Sequence, residues 1–330
     1  MKSRILLVVA IAFACLVPHS ASAQQLPAIP WPSGWPSPFP PPAAPAPAPA
    51  GTPTTARALL FPLIGAQAWQ QEVRLVMQEL VSNLSPEYAA RVRNIPLVVD
   101  PNQGDVNAFA GCDDQGSPFV AATEGMLAAM DAMAQTQAND ELYGTHTFDQ
   151  YLSAVIPRLA QGRGTGATAG LPLGVLPITT ALDPRRLSRA HELFDEIAAF
   201  TFGHELSHHY LGHTGCANGQ ANSGGPNPAV VANFLTRMLP GLNQGNEAAA
   251  DSYGCYNTLD SGRARASRSL YVWTERGGLT LLDFFSHLER AGGVSVLNPV
   301  GFILSHPHAD IRIPIVKAAA MTWRYQHPGN

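Results

Sequence analysis

Apolar residues recur at helical spacing over 66–84 (AQAWQQEVRLVMQELVSNL), and Pro86 follows, which predicts a helix that ends there. The short apolar run 95–99 (IPLVV), closed by Asp100-Pro101, reads as a strand. Val106 to Ala110 and Phe119 to Thr123 read as two further strands around the turn-rich stretch Cys112 to Pro118, and a helix starts at Glu124. Residues 195–213 (DEIAAFTFGHELSHHYLGH) are strongly apolar up to Gly203. They predict a helix packed in a core, with Ser188 as its cap and Gly212 and Gly215 as stop signals. Helices are also expected over 148–159, 228–238, 246–260 (capped by Asn246) and 279–291, with a last one that SHPHADIRI (Ser305 to Ile313) precedes and that runs through about Arg324. The Gly-rich stretches 161–176 and 215–228 read as loops. The expected fold class is α+β, mainly helical, with a small β-sheet.

The N-terminal stretch changes the picture of where this domain works. Lys2 and Arg4 precede an apolar run from Ile5 to Val17, and Ala21-Ser22-Ala23 supplies small residues for cleavage. Residues 1–23 therefore read as a secretory signal peptide, too short to span a membrane. Residues 24–56 are a Pro/Ala-rich linker that cannot bury a core. Its Trp31, Trp35 and Phe39 leave room for docking onto a partner in the cell envelope. Residues 57–330 are expected to form one domain. No later segment is apolar enough to span, so the mature chain is expected to be exported, periplasmic or secreted, with no membrane span. The formal net charge is −4 and no basic block occurs, so nucleic acid is not an expected partner.

Cleavage would leave Cys112, Cys216 and Cys255. Three cysteines in an exported chain suggest one disulfide and one thiol, with three pairings open. Cys112 and Cys216 lie in Gly-flanked, loop-like sequence and Cys255 in a helical run, which favours Cys112–Cys216.

The chemistry concentrates at His204-Glu205-Leu206-Ser207-His208. On a helix His204 and His208 are about 40° apart on one face, so two imidazoles can grip one metal ion. Glu205 stands within reach of a water on that ion, which is the HExxH pattern of zinc peptidases. Buried His and Glu need partners, and a metal is the simplest. A catalytic zinc needs a third protein ligand. His213 falls on the opposite helix face and lacks the HExxHxxGxxH spacing, so it is set aside. Glu247, in NEAAAD, is the better candidate, with Asp251 one turn on as acceptor for a ligating His. Glu247 also reads as an ordinary first-turn Glu that complements a helix dipole.

Four blocks in order make the chain resemble metallopeptidase family 48, the gluzincins that include the HtpX and CAAX-prenyl-protease types and soluble periplasmic members. They are NAFAG (107–111) with PFVAATEGML (118–127), then DEIAAFTFGHELSHHYLGH, then EAAAD (247–251), and SHPHADIRI (305–313), similar to the family's HPxxxxR. The resemblance implies a zincin-type peptidase with one zinc per chain, held by His204, His208 and Glu247. It implies Glu205 as general base and Asp251 as the group orienting a ligating His. His306 would lie near the metal, stabilising an oxyanion or binding substrate, and Arg312 would tie that segment to the carboxylates. Phe119, Val120, Ala121, Ala122 and Thr123 would be the sheet edge that borders the cleft and pairs with an extended polypeptide substrate. The chain departs from the family in having no spanning helices, in its CDDQGSP turn, and in inserts at 139–187 and 214–245. Two alternatives stand beside a zinc endopeptidase. One is a zinc-stabilised chaperone-like or binding module of the envelope, and the other is a latent protease with an occluded cleft.

Overall fold

A computed structural model describes residues 66–161, 168–216, 244–267, 269–292, 294–295, 298–299, 306 and 309–328. The signal peptide, the Pro/Ala-rich linker and the helix expected over 228–238 lie outside the described residues. The fold is mainly helical with one small three-stranded sheet. Among the described residues no helix is long and apolar enough to cross a membrane.

The chain enters as helix α1 (Ala66–Ser82), where the apolar spacing puts one, followed by α2 (Pro86–Val92). Three strands come next: β1 (Leu97–Asp100), β2 (Ala108–Cys112) and β3 (Pro118–Thr123). β2 and β3 form the expected hairpin, antiparallel, with Phe109 opposite Ala121. β1 does not join β2. It lies parallel to β3, with Leu97 opposite Val120, so the order is β1-β3-β2.

This order corrects one expectation from the sequence. Phe119 to Thr123 is not an edge but the middle strand, hydrogen-bonded on both sides. All six residues of β3 are buried. Thr123 has a different task. Its hydroxyl accepts from the Met126 amide at 3.0 Å and caps α3 (Glu124–Tyr143). The same hydroxyl donates to the Asp105 carbonyl at 2.6 Å. The sheet edges are β1 and β2.

After α4 (Thr147–Ala160) and the short α5 (Ile178–Ala181) comes the central helix α6 (Pro184–Tyr210). It starts earlier than the sequence suggests. Asp183, not Ser188, caps it by accepting from the Arg185 amide, and Pro184 sits in the first turn, where a missing N–H costs nothing. It stops at Gly212, whose φ of +82° leaves the helical region. Every residue from Leu193 to Tyr210 is buried, because neighbours pack on all sides. Those neighbours are α1, α2, α3, β2, β3, α7 (Gln244–Arg265) and α8 (Arg276–Arg290). Side chains such as Phe200, Phe202 and Leu206 each stabilise the fold by about 1.5–3 kcal/mol through burial. Two short strands, β4 (Val294–Ser295) and β5 (Asn298–Pro299), precede the last helix, α9 (Ala309–Gln326), which packs on α7 and α8.

Cys112, at the end of β2, is disulfide-bonded to Cys216, six residues past the end of α6, while Cys255 is a buried thiol. The bond fastens the chain beyond α6 to the sheet edge.

Candidate metal centre

α6 and α7 cross at their glycines. A Cβ on Gly254 would stand 2.7 Å from the His204 amide nitrogen and 2.9 Å from its Cα. Only glycine allows that approach. It brings the first turns of α7 against the HExxH segment. Glu247 and Asp251, one turn apart on one face, then meet the histidines.

The donor atoms converge. His204 Nε2 lies 3.1 Å from His208 Nε2 and 3.4 Å from Glu247 Oε2. His208 Nε2 is 3.3 Å from Glu247 Oε1. A fourth donor joins them: His306 Nδ1, 3.3 Å from His204 Nε2 and 2.7 Å from Glu247 Oε2. All four residues offer one atom within 4.8 Å of the others. Donors around a tetrahedral zinc stand about 3.4 Å apart, so the spacing suits such an ion. This buried group of three imidazoles and a carboxylate could hold a metal ion.

The surrounding bonds fix which nitrogen faces inward. His204 Nδ1 is 3.0 Å from Asp251 Oδ1, so its N–H donates there and Nε2 is left for the centre. Arg312 clamps the same carboxylate with two bonds, Nε to Oδ2 at 2.9 Å and Nη2 to Oδ1 at 2.7 Å. It also donates to the His306 carbonyl at 3.3 Å, which ties the segment before α9 to the site. His208 Nδ1 lies 3.0 Å from His213 Nδ1.

His213 has no role legible from spacing, and a continuous helix is the wrong frame for it. α6 ends at Tyr210, and the turn at Gly212 swings His213 back onto His208. It stays outside the donor group and serves as the ring partner of His208. His306 lies closer to the centre than a substrate-binding role requires. No signal inside 305–313 alone separates a ligand from a neighbour.

Charge in the cluster is strongly biased. Burial opposes charge on His204, but the Asp251 and Glu247 carboxylates outweigh it and lift the ring to about 9. Burial likewise opposes ionisation of Glu247, yet the His306 charge and hydrogen bonds from three rings hold its carboxyl far below the ordinary range. Burial pushes His208 down. Without an ion these carboxylates retain a proton on His204, and an ion would take that proton's place.

Glu205 is the clearest misfit for a purely structural cluster. It is 0% exposed, and neither carboxylate oxygen has a hydrogen-bond partner. The His306 Nε2 stands 3.4 Å from Oε1. A buried carboxylate of this kind is costly unless something polar is meant to meet it.

No protein-family model, no curated protein and no solved structure matches this chain.

Proposed function

We propose that this chain is an exported zinc endopeptidase of the gluzincin type, with His204, His208 and Glu247 as ligands and Glu205 as general base. The observation that carries this reading is the unbonded, buried Glu205 carboxylate beside three converging donors. Bound zinc would polarise water and the scissile carbonyl. Glu205 then accepts the proton of the attacking water and returns it to the leaving amine. Asp251 and Arg312 keep Nε2 of His204 directed at the ion. An extended substrate would pair with β2, the edge strand of the hairpin that also touches α6, in place of the central β3.

Replacing Glu205 with Gln tests the reading. Glu205→Gln should bind zinc with the parent's stoichiometry and lose at least about a hundredfold in cleavage of a denatured protein, the usual worth of a positioned base. Equal cleavage by the variant would remove the assignment. No cleavage by either protein, with zinc bound, would favour a binding module instead.

A second reading, a latent enzyme, has its own observation. His306 stands close enough to complete four ligands, and four protein ligands leave a zinc no open position. The two roles of His306 part on one variant. In His306→Ala cleavage rises if the ring closes the centre and falls if it steadies the transition state.

A further inference from the structure

A second group of donors stands on α6, about two and a half to three and a half turns before the motif. His191 and Asp195 lie one turn apart, and Glu72 reaches them from α1. His191 Nε2 is 3.2 Å from Glu72 Oε1 and 3.9 Å from Asp195 Oδ1. One donor atom from each of the three falls within 4.8 Å of the others. Glu72 is close to both partners, yet two buried atoms of the group remain poorly served. His191 Nε2 and Asp195 Oδ1 are both buried atoms without a hydrogen-bond partner, and Asp195 is only 5% exposed. A cation held among the three would give both atoms a partner.

The local charge leads the same way. Arg265, in the last turn of α7, bonds Glu79 at 2.9 Å and Glu192 at 3.1 Å, and its guanidinium lies over the Trp273 ring. It approaches Asp195 only on the Oδ2 side, at 3.8 Å. Glu72, Glu79, Glu192 and Asp195 thus share one guanidinium and one imidazole, and carboxylates stay in excess whether or not His191 is protonated. Burial and then the Glu72 charge push the Asp195 carboxyl well above its ordinary range. A cation would relieve that crowding.

We propose that Glu72, His191 and Asp195 form a second metal site, for a divalent ion of the manganese–zinc class, that ties α1 to α6. One imidazole with two carboxylates suits that class better than soft thiophilic ions or calcium. The site lies about 13 Å along α6 from His204, counted by helix rise from Asp195, and it stands whether or not the motif centre hydrolyses peptides.

The test uses the full chain, stripped with chelator and dialysed against Mn²⁺ or Zn²⁺. Glu72→Gln and His191→Gln, both at partly exposed side chains, should each retain one metal fewer per chain than the parent. Their folds are checked by circular dichroism. A second readout needs no variant: Mn²⁺ should slow amide hydrogen exchange in residues 66–82 of the parent by about tenfold or more, as expected when local opening is suppressed. Equal stoichiometry in parent and both folded variants overturns the site. If neither variant folds, unchanged exchange in 66–82 overturns it, and a cluster held by protons alone predicts that result.

Discussion

At the residue scale, the site works through histidines whose two nitrogens have different partners. His204 faces Asp251 on one side and the centre on the other, and His208 does the same with His213. The next residue, His209, shows the same logic turned to structure. Its Nε2–H donates to the Phe119 carbonyl at 2.9 Å, and its Nδ1 accepts from the Thr214 hydroxyl at 3.0 Å. The second bond needs the neutral ring, because a protonated Nδ1 cannot accept. Burial pushes it from 6.5 down to about 4. Between those values the unfolded chain binds a proton that the folded chain refuses. Stability present above pH 6.5 is therefore lost as pH falls toward 4. The interval corresponds to roughly 3 kcal/mol at 1.36 kcal/mol per unit. Urea unfolding across pH 4–7 should show this slope in the parent and a shallower one in His209→Asn. Equal slopes would place the acid sensitivity in another group.

At the scale of elements, the crossing of α6 and α7 decides whether the donors meet. Alanine is about 1 kcal/mol better than glycine inside a helix, so propensity alone predicts that Gly254→Ala stabilises. Contact predicts the reverse. The new methyl would press on the His204 backbone, where neither partner can rotate away. Such overpacking costs about 1–3 kcal/mol, and separating the helices withdraws Glu247 from the rings. The variant should unfold at lower denaturant concentration and bind less metal. A more stable variant with full metal content would show that the crossing is looser than the backbone spacing implies.

What was readable in advance follows the same division. HExxH and the Glu247–Asp251 pair are set by i, i+4 spacing, which a sequence displays directly. The partners of those residues are set by contacts between distant segments, which it does not. β3 is the middle strand where the sequence predicts an edge, although Phe119 to Ala122 is an unbroken apolar run. Such a run marks a strand covered on both faces rather than an edge. Gly254 was visible as a glycine inside a helix, yet its meaning depends on the helix it touches.

At the scale of the whole molecule, the disulfide and the metal centre are coupled through one short segment. Residues 211–216 leave α6, carry His213 back to His208, carry Thr214 to His209, and end at Cys216. The bond to Cys112 spans 104 residues, and closing a loop of that size stabilises by about 2–5 kcal/mol through the unfolded chain. If that were its whole effect, the folded protein would bind metal equally well without it. The geometry argues otherwise. Freed from β2, the segment can release His213, and His208 loses the partner that orients its ring. Loss of such a partner typically weakens metal binding by about 10–100-fold. The double variant Cys112→Ser/Cys216→Ser should therefore show a weaker zinc affinity by chelator competition, measured well below its unfolding temperature. His213→Ala should reproduce most of that loss with the disulfide intact. If the double variant is destabilised but binds zinc as the parent does, the two fastenings are independent, and 211–216 keeps its place through Thr214 and the helix end alone.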